Sequence, residues 1–187
     1  MAIIIPLLFL YLILRKNKGA NLTLLVPPSD GRTTVSYKDT VNNVLRFSKS
    51  IVEIANAKTI DPALICAIIA IESEGIPAAK KVTRYETYYG LMQIAYKTAV
   101  WRGYKGQPDG LLNPDINIFY GSDYLAYQIR RYGKYSMSVS AYQKGYADVN
   151  SNIAYVNKVA GFYYTFREYF SKSYSGYKLS YPDRWTV

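Results

Sequence analysis

An unbroken run of nine apolar residues, at positions 63–71, constrains the fold of this chain more than any other feature. Asp61 stands before the run at the position of a helix N-cap, and Pro62 follows in the first helical turn, where proline is well tolerated. A helix that is apolar on every face is stable only when other elements surround it. The sequence therefore predicts a buried central helix that begins at Pro62.

Segments on both sides of this run carry apolar residues at a spacing closer to the helical period than to the strand period. One of them opens with the start signal Asn113-Pro114 and ends near Gly133. The helices predicted around the central one cover residues 38–57, 97–103, 113–133, 137–142 and 150–170. We therefore predict a mainly α domain with little or no β-sheet.

The N-terminus carries a second apolar run, AIIIPLLFLYLIL, which is followed at once by Arg15, Lys16 and Lys18. At about 1.5 Å per helical residue its thirteen residues cover about 20 Å, less than the roughly 30 Å hydrocarbon core of a bilayer. The basic residues that follow can bind anionic head groups and lengthen the segment by snorkelling. We interpret this run as a retained membrane anchor that contacts lipid through residues 2–18.

A cleaved signal peptide is the competing interpretation of the same run. It fits less well, because no Lys or Arg precedes the apolar residues. The residues after the anchor are rich in Pro, Gly and small polar side chains, which is typical of a linker. The predicted parts are an anchor at 1–20, a linker at 21–34, one compact domain at 35–170 and a Tyr/Ser-rich tail at 171–187.

The charge and the missing residue types exclude several classes of site. The chain has 23 Lys and Arg against 13 Asp and Glu, a formal net charge of +10, no His and one Cys. There is therefore no Ser/His/Asp relay and no histidine-bound metal, and Cys66 alone forms neither an internal disulfide nor a zinc site. We expect no metal and no cofactor. The positive charge indicates an anionic partner: nucleic acid, an acidic membrane surface or a cell-wall polymer.

Glu72 comes directly after the apolar run, so it lies at the C-terminal end of the predicted central helix. Desolvation and the negative end of the helix dipole both disfavour a charged carboxyl group there. We therefore expect a raised pKa, which suits a general acid at neutral pH. The alternative interpretation is that Glu72 is simply the first solvated residue after the helix.

Motifs downstream of Glu72 favour the first interpretation. Ser73 is followed by G-L-M-Q-I at 90–94, T-A at 98–99, N-P-x-x-N-I at 113–118, A-Y-x-x-G at 141–145 and Y-V-x-x-V at 155–159. In this order and approximate spacing they resemble the soluble lytic transglycosylase (SLT) domain, a family of lysozyme-like enzymes that cleave peptidoglycan. The resemblance covers about residues 50–160 and implies a lysozyme-like fold.

The resemblance also implies roles for individual residues. Glu72 is expected to be the catalytic acid and base. The G-L-M-Q segment is expected to line the sugar cleft, with Gln93 hydrogen-bonded to substrate and Met92 packed beneath it. Tyr142 and Tyr155 are expected to face the catalytic glutamate. The full expected substrate-binding set is Ser73, Glu86, Met92, Gln93, Thr98, Tyr142, Gln143 and Tyr155.

Two departures from the family pattern bear on the chemistry. Gln143 stands where the family has an asparagine, so a longer amide must make that contact or the contact is lost. The segment at 84–86 reads R-Y-E and resembles a variant branch, which places Glu86 near the cleft. Glu74 is a less suitable second carboxylate, because two residues beyond Glu72 it points away if the helix continues.

A second carboxylate decides between two reactions. A hydrolase needs one to activate water or to act as nucleophile, whereas a lytic transglycosylase closes a 1,6-anhydromuramoyl ring with one glutamate. We predict the transglycosylase reaction, with Glu72 as acid and then base. The alternatives are a lysozyme-type muramidase that uses Glu86 and a non-catalytic, membrane-anchored structural protein of a virion. No nucleic-acid partner is expected, because no recognised nucleic-acid motif is present.

The combination of an anchor with a small wall-cutting domain suggests a biological setting. The expected partners are peptidoglycan strands and a lipid membrane, with other virion proteins as further candidates. We favour a virion membrane and local opening of the cell wall while a phage enters its host. The bacterial cell envelope is the alternative location.

Overall fold

The computed structural model describes residues 35–174, together with residues 177 and 185. The predicted anchor at residues 1–20 and the linker at 21–34 lie outside the described residues. A compact unit begins at Lys38 and holds the helices and strands that surround the site. Within the described part of the chain, no helix is both long enough and apolar enough to cross a bilayer.

Helices dominate the described residues and confirm the predicted mainly α class. The α-helices are α1 (Tyr37–Leu45), α2 (Ser48–Lys58), α3 (Pro62–Ser73), α4 (Tyr96–Trp101), α5 (Pro114–Tyr132), α6 (Tyr135–Lys144) and α7 (Ile153–Ser173). Two 3₁₀ turns, Pro108–Leu112 and Asn150–Asn152, precede α5 and α7.

The structure has two helices, α1 and α2, where the sequence predicts one continuous helix at 38–57, so the prediction of a single helix was wrong. The Phe47 N–H bonds to the Val44 carbonyl oxygen at 3.0 Å, which is an i to i−3 turn in place of the regular helical pattern. The chain then restarts as α2 at Ser48. No Pro or Gly marks this break in the sequence, and the helical apolar spacing continues across it.

The central helix α3 is as the apolar run predicts. Its first nine residues are buried, and α7 packs along it more extensively than any other described element. At its start the Asp61 side chain accepts a hydrogen bond from the Ala63 N–H at 2.9 Å. At its end Glu74 adopts the left-handed conformation, with φ 54°, and terminates the helix. Glu72 therefore lies in the last turn of a rigid, buried element.

A small antiparallel sheet lies between α3 and α4, which agrees with the expectation of little β-sheet. Its strands are β1 (Lys80–Val82), β2 (Thr87–Tyr89) and β3 (Ile94–Ala95), in the order β1-β2-β3. Lys80 pairs with Tyr89, and Tyr89 pairs in turn with Ile94. The sheet carries the R-Y-E segment on its first turn and the G-L-M-Q segment on its second.

Two residues of the predicted tail contact the helical domain. The Tyr177 hydroxyl lies 2.9 Å from Asp61 Oδ1, and the Tyr163 hydroxyl of α7 donates to Asp61 Oδ2 at 3.0 Å. Trp185 is buried, and its ring centroid lies 5.6 Å from that of Tyr163. These contacts fix the end of α3 that is opposite to Glu72.

Candidate active site

Glu72 is held by a residue from the far end of the chain. Tyr155, in the first turn of α7, donates its hydroxyl hydrogen to Glu72 Oε1 at 2.5 Å. Burial raises the pKa of Glu72 to about 7, although the Tyr155 hydrogen bond and the positive charge of Lys81 act in the opposite direction. The carboxyl group can therefore be protonated or ionised near neutral pH, as its place after the apolar run predicts.

Tyr155 is suited to remain a donor. Burial, together with the neighbouring negative charge of Glu72, raises the pKa of the Tyr155 phenol well above its usual value. The phenol therefore keeps its proton over the whole physiological range. A neutral donor at this distance stabilises the carboxylate form of Glu72 whenever that form appears.

Tyr142 has a different partner. Its hydroxyl donates to the Met92 carbonyl oxygen at 2.8 Å, so it ties α6 to the G-L-M-Q turn. Burial first, and then the charge of Glu72, raises the pKa of Tyr142 well above the ordinary phenol value. Tyr142 thus lies close enough to feel the Glu72 charge, while its hydrogen bond is made to the backbone of the turn.

The G-L-M-Q turn at residues 90–93 is fixed from below by one amide side chain. Asn117 of α5 accepts a hydrogen bond from the Met92 N–H and donates to the carbonyl oxygens of Tyr89 and Leu111, each at 2.7 Å. Gly90 has φ +69°, and an added Cβ would lie 2.4 Å from Asn117 Nδ2. The turn therefore requires both the glycine and the buried asparagine.

Asn117 is a residue to which the sequence assigned no role. It belongs to the N-P-x-x-N-I motif, and that membership was the available signal. Its three bonds satisfy backbone groups that lie out of reach of solvent, since Asn117 is fully buried. Asn117 thus positions the turn that carries Gln93.

Ser73 and Met92 support the site from inside the protein. The Ser73 hydroxyl donates to the Leu91 carbonyl oxygen at 2.7 Å, which joins α3 to the turn. Met92 is fully buried and packs against Gly121, where an added Cβ would meet its sulfur at 2.5 Å. Neither side chain faces the open groove described next.

An open groove of about 370 Å³ lies between the sheet, α4, α5 and α6. Five of the predicted substrate-binding residues line it: Glu86, Gln93, Thr98, Tyr142 and Gln143. It is also lined by residues to which the sequence analysis assigned no role: Tyr85, Tyr88, Ile94, Ala95, Lys97, Tyr124, Lys144 and Gly145. Glu72 and Tyr155 are not among these lining residues. Tyr142 does line the groove, and the nearby charge of Glu72 adds to the rise of its pKa.

Part of the Gln93 side chain is hydrogen-bonded within the protein. Its φ is +45°, a conformation that residues other than glycine seldom adopt. The Nε2 group donates to the carbonyl oxygens of Gly90 at 2.9 Å and of Ala79 at 3.1 Å. These bonds orient the amide, so a ligand hydroxyl in the groove would be recognised by Oε1.

Glu86 is held by the hairpin and by a lysine. Its Oε1 accepts the Thr87 N–H at 3.2 Å, and its Oε2 lies 3.5 Å from Lys97 Nζ. The carboxylate therefore orients the first amide of β2, although its side chain still borders the groove. Glu74 is exposed at the helix end and makes no part of the groove lining.

Two curated relatives share sequence with part of the chain. The endo-type membrane-bound lytic murein transglycosylase A of Cronobacter sakazakii is 42% identical over 78 residues, which cover 38% of this chain and 37% of that protein. Its namesake from Klebsiella pneumoniae is 45% identical over 74 residues, or 36% of this chain and 35% of that protein. The chain thus spans about a third of the length of these relatives.

The fold and the family are both recognisable. One similar solved structure is that of an inactive mutant of lytic transglycosylase Slt from Pseudomonas aeruginosa. The alignment covers 68% of this chain and 25% of that chain, with 18% sequence identity. Its TM-score of 0.60 shows that the two share a fold. The transglycosylase SLT domain matches residues 49–164, a segment that includes Glu72, Gln93 and Tyr155. Because this match covers more than half of the chain, the protein belongs to the transglycosylase SLT domain family, as its motifs predict.

Proposed function

We propose that this chain is a peptidoglycan lytic transglycosylase that cleaves the β-1,4 bond between N-acetylmuramic acid and N-acetylglucosamine. The observation that carries the proposal is the position of Glu72 in the last turn of the buried central helix, where the Tyr155 hydroxyl donates to its Oε1 at 2.5 Å. Burial there raises the pKa of Glu72 to about 7. A carboxyl group that changes charge near the working pH can both give and accept a proton. The names of the two relatives, both lytic murein transglycosylases, support the same activity.

In the proposed mechanism Glu72 acts twice. Its protonated form gives the proton to the glycosidic oxygen while the bond from that oxygen to the muramoyl C1 breaks. Its carboxylate then takes the proton of the muramoyl 6-hydroxyl, as that oxygen bonds to C1 and closes a 1,6-anhydro ring. No water is consumed, and Glu72 ends protonated as it began. The Tyr155 hydroxyl stabilises the carboxylate between the two transfers.

The groove supplies the surface for the glycan strand. Tyr142 and Tyr88 offer flat apolar rings, and Gln93, Thr98 and Gln143 offer amide and hydroxyl groups, a mixture that suits the apolar faces and polar edges of sugar rings. Gln143 is exposed at the groove and can reach a sugar substituent with its longer side chain. In this proposal it takes the contact that the family's asparagine makes.

The contacts of Glu86 bear on the choice between the proposed reaction and hydrolysis. Both of its oxygens are engaged, one by the Thr87 N–H and the other by Lys97. Both contacts lie within the protein, which supports a role of Glu86 in ordering the hairpin. The position of Glu86 in the groove wall is nevertheless the one observation that favours a lysozyme-type muramidase.

Product analysis with two matched variants tests the proposal. Purified peptidoglycan is digested with the wild type, Glu72→Gln and Glu86→Gln, and the products are identified by mass spectrometry. We expect anhydromuropeptides from the wild type and from Glu86→Gln, and a loss of rate of about 10²- to 10⁴-fold in Glu72→Gln. Reducing muramic ends that depend on Glu86 would establish the muramidase instead. Equal, negligible activity of the wild type and Glu72→Gln would favour a structural protein without catalysis.

We further propose that residues 2–18 attach this domain to a membrane. The relatives are named membrane-bound, and the apolar run with its basic flank at residues 2–18 suits a lipid surface. Flotation with vesicles that contain anionic lipid, comparing the full chain with a variant that lacks residues 2–18, tests the attachment. The membrane we favour is that of a phage virion, and the bacterial envelope is the alternative. Detection of the protein in purified virions, or its absence from them, decides between the two.

A further inference from the structure

An exposed aromatic surface continues the groove beyond the residues that line it. We call it the Trp101 face, and it consists of Trp101 on α4 with Tyr124 and Tyr127 on α5. Trp101 is 56% exposed, whereas the other tryptophan of the chain, Trp185, is 7% exposed. A large aromatic side chain left in solvent beside a binding groove is a candidate contact for the ligand of that groove.

The periodicity of two helices places this face next to the groove. Thr98 lines the groove, and Trp101 lies three residues later on the same side of α4. Tyr124 lines the groove, and Tyr127 lies three residues later on the same side of α5. Both helices thus extend the groove wall by three residues, which is about 4.5 Å along a helix axis.

The rings form a continuous series that reaches back to the site. The ring centroids of Trp101 and Tyr127 are 4.9 Å apart and nearly perpendicular. Tyr127 stacks with Tyr124 at 6.5 Å, and Tyr124 lies 5.3 Å from Tyr142, the tyrosine that responds to the Glu72 charge. A strand that occupies the groove can therefore continue over the face without crossing a gap in the aromatic surface.

The cations beside the face are paired with a carboxylate of the protein. The Arg102 guanidinium lies 4.9 Å from the Trp101 ring centroid, and its Nε donates to Asp123 Oδ2 at 2.6 Å. Lys58 donates to the other oxygen of Asp123 at 2.7 Å. The two cations share the one carboxylate of Asp123, so both are held in place beside the rings and the cluster keeps one net positive charge. The exposed rings of the face are suited to a ligand ring with an apolar side, such as a pyranose.

We propose that the Trp101 face binds a further sugar ring of the glycan strand, beyond the rings held in the groove. This inference rests on the proposed function and deepens it. The consequence is a preference for long glycan strands over short ones, since only a long strand reaches the face. The chain gains this contact through Trp101 and Tyr127, to neither of which the sequence motifs assigned a role.

The test measures binding of uncleaved strands of different length. Disaccharides and longer peptidoglycan glycans are titrated by calorimetry into Glu72→Gln and into the double variant Glu72→Gln/Trp101→Ala. We expect Trp101→Ala to weaken long strands about tenfold and to leave disaccharides unchanged. Trp101→Phe should retain most of the affinity. Tyr169→Ala, which removes another exposed aromatic residue from the far part of α7, is the matched control and should change neither.

Tryptophan fluorescence adds a readout that does not depend on the alanine variant. Trp101 is the more exposed of the two tryptophans, so long strands should shift the emission of Glu72→Gln, and Trp101→Phe should abolish that shift while binding persists. Equal affinity of Glu72→Gln with and without Trp101→Ala, at every length, overturns the inference and leaves the proposed function intact. A change of oligomeric state on Trp101→Ala, without a change in glycan affinity, overturns it as well. If no glycan binds and no product forms, the proposed function fails too.

Discussion

Substitution of Tyr155 by phenylalanine removes one hydroxyl group and leaves the buried aromatic ring. The lost O–H is the donor that lies 2.5 Å from Glu72 Oε1. A hydrogen bond donated to a carboxylate stabilises the charged form and lowers the pKa of the group. Tyr155→Phe therefore raises the pKa of Glu72 above its present value of about 7.

The size of the change follows from the strength of that bond. A hydrogen bond to a charged group contributes about 1.5 to 3 kcal/mol, and one pKa unit corresponds to about 1.4 kcal/mol. Removal of the Tyr155 hydroxyl should therefore displace the Glu72 titration upward by about one to two pH units. Desolvation, which is the largest cause of the raised pKa, is left unopposed by any hydrogen bond from Tyr155.

The pH dependence of kcat/KM for muropeptide release reports this change. Glu72 must be protonated before the glycosidic bond breaks, so the rate falls as the pH rises through its pKa. We expect the basic limb of the wild-type profile near pH 7 and that of Tyr155→Phe about one to two units higher. The maximal rate of the variant should also decrease, because the carboxylate formed in the first step has lost its donor.

Tyr142→Phe is the matched control for this experiment. It also removes one buried phenol hydroxyl, but that hydroxyl donates to the Met92 carbonyl oxygen and not to Glu72. Its basic limb should stay where the wild type has it. If the limb of Tyr155→Phe does not move, or moves to lower pH, the Tyr155 hydrogen bond does not set the Glu72 pKa and the reasoning is refuted.

Three further outcomes follow from the same structure. Glu72→Gln should raise the thermal midpoint of unfolding by several degrees at about pH 8 and leave it unchanged near pH 4.5. The reason is that the native protein binds the Glu72 proton more tightly than the unfolded chain does, so the wild type loses stability as the pH rises from 4.5 to about 7. Scanning calorimetry at the two pH values measures this difference, and equal midpoints at the higher pH contradict it. Asn117→Ala should lower the free energy of unfolding by about 3 to 5 kcal/mol, since three buried hydrogen bonds are lost, whereas Asn113→Ala, which removes only an exposed helix cap, should cost about 1 kcal/mol. Urea denaturation compares these two, and similar losses would show that Asn117 does not hold the turn. Tyr177→Phe removes a hydrogen bond to the buried Asp61 and should lower the free energy of unfolding by about 1 to 2 kcal/mol in the same assay; an unchanged value would mean that this part of the tail adds nothing to stability.

Much of the fold could be predicted because its signals are local. Asp61-Pro62 marks the start of α3, and Asn113-Pro114 marks the start of α5. The Asn113 side chain accepts hydrogen bonds from the Asp115 and Ile116 N–H groups. The break at Phe47 could not be predicted, because no residue there forbids a helix and the apolar spacing runs through it. Tertiary packing overrides a weak local preference at that point.

Some features of the candidate site could also be predicted from the sequence, and others could not. Position alone predicts a raised pKa for Glu72, since an apolar run leads directly to it. The predicted substrate-binding set includes five residues that line the groove, but it also includes Ser73 and Met92, and the structure buries both of these side chains. Burial of those two depends on how the G-L-M-Q turn docks on α3 and α5, and that docking is a property of the assembled elements.

The sequence by itself determined a mainly helical protein, a buried central helix and a carboxyl group at the end of that helix. These follow from short-range rules of capping and apolar patterning, which operate within a few residues. Only the tertiary structure decided which side chain reaches that carboxyl group. Tyr155 is 83 residues away from Glu72 along the chain, and α7 must pack along α3 before its hydroxyl can donate at 2.5 Å. The same packing joins Trp101, Tyr127 and Tyr124 into one surface, because contacts between distant segments depend on the whole core and not on local preference.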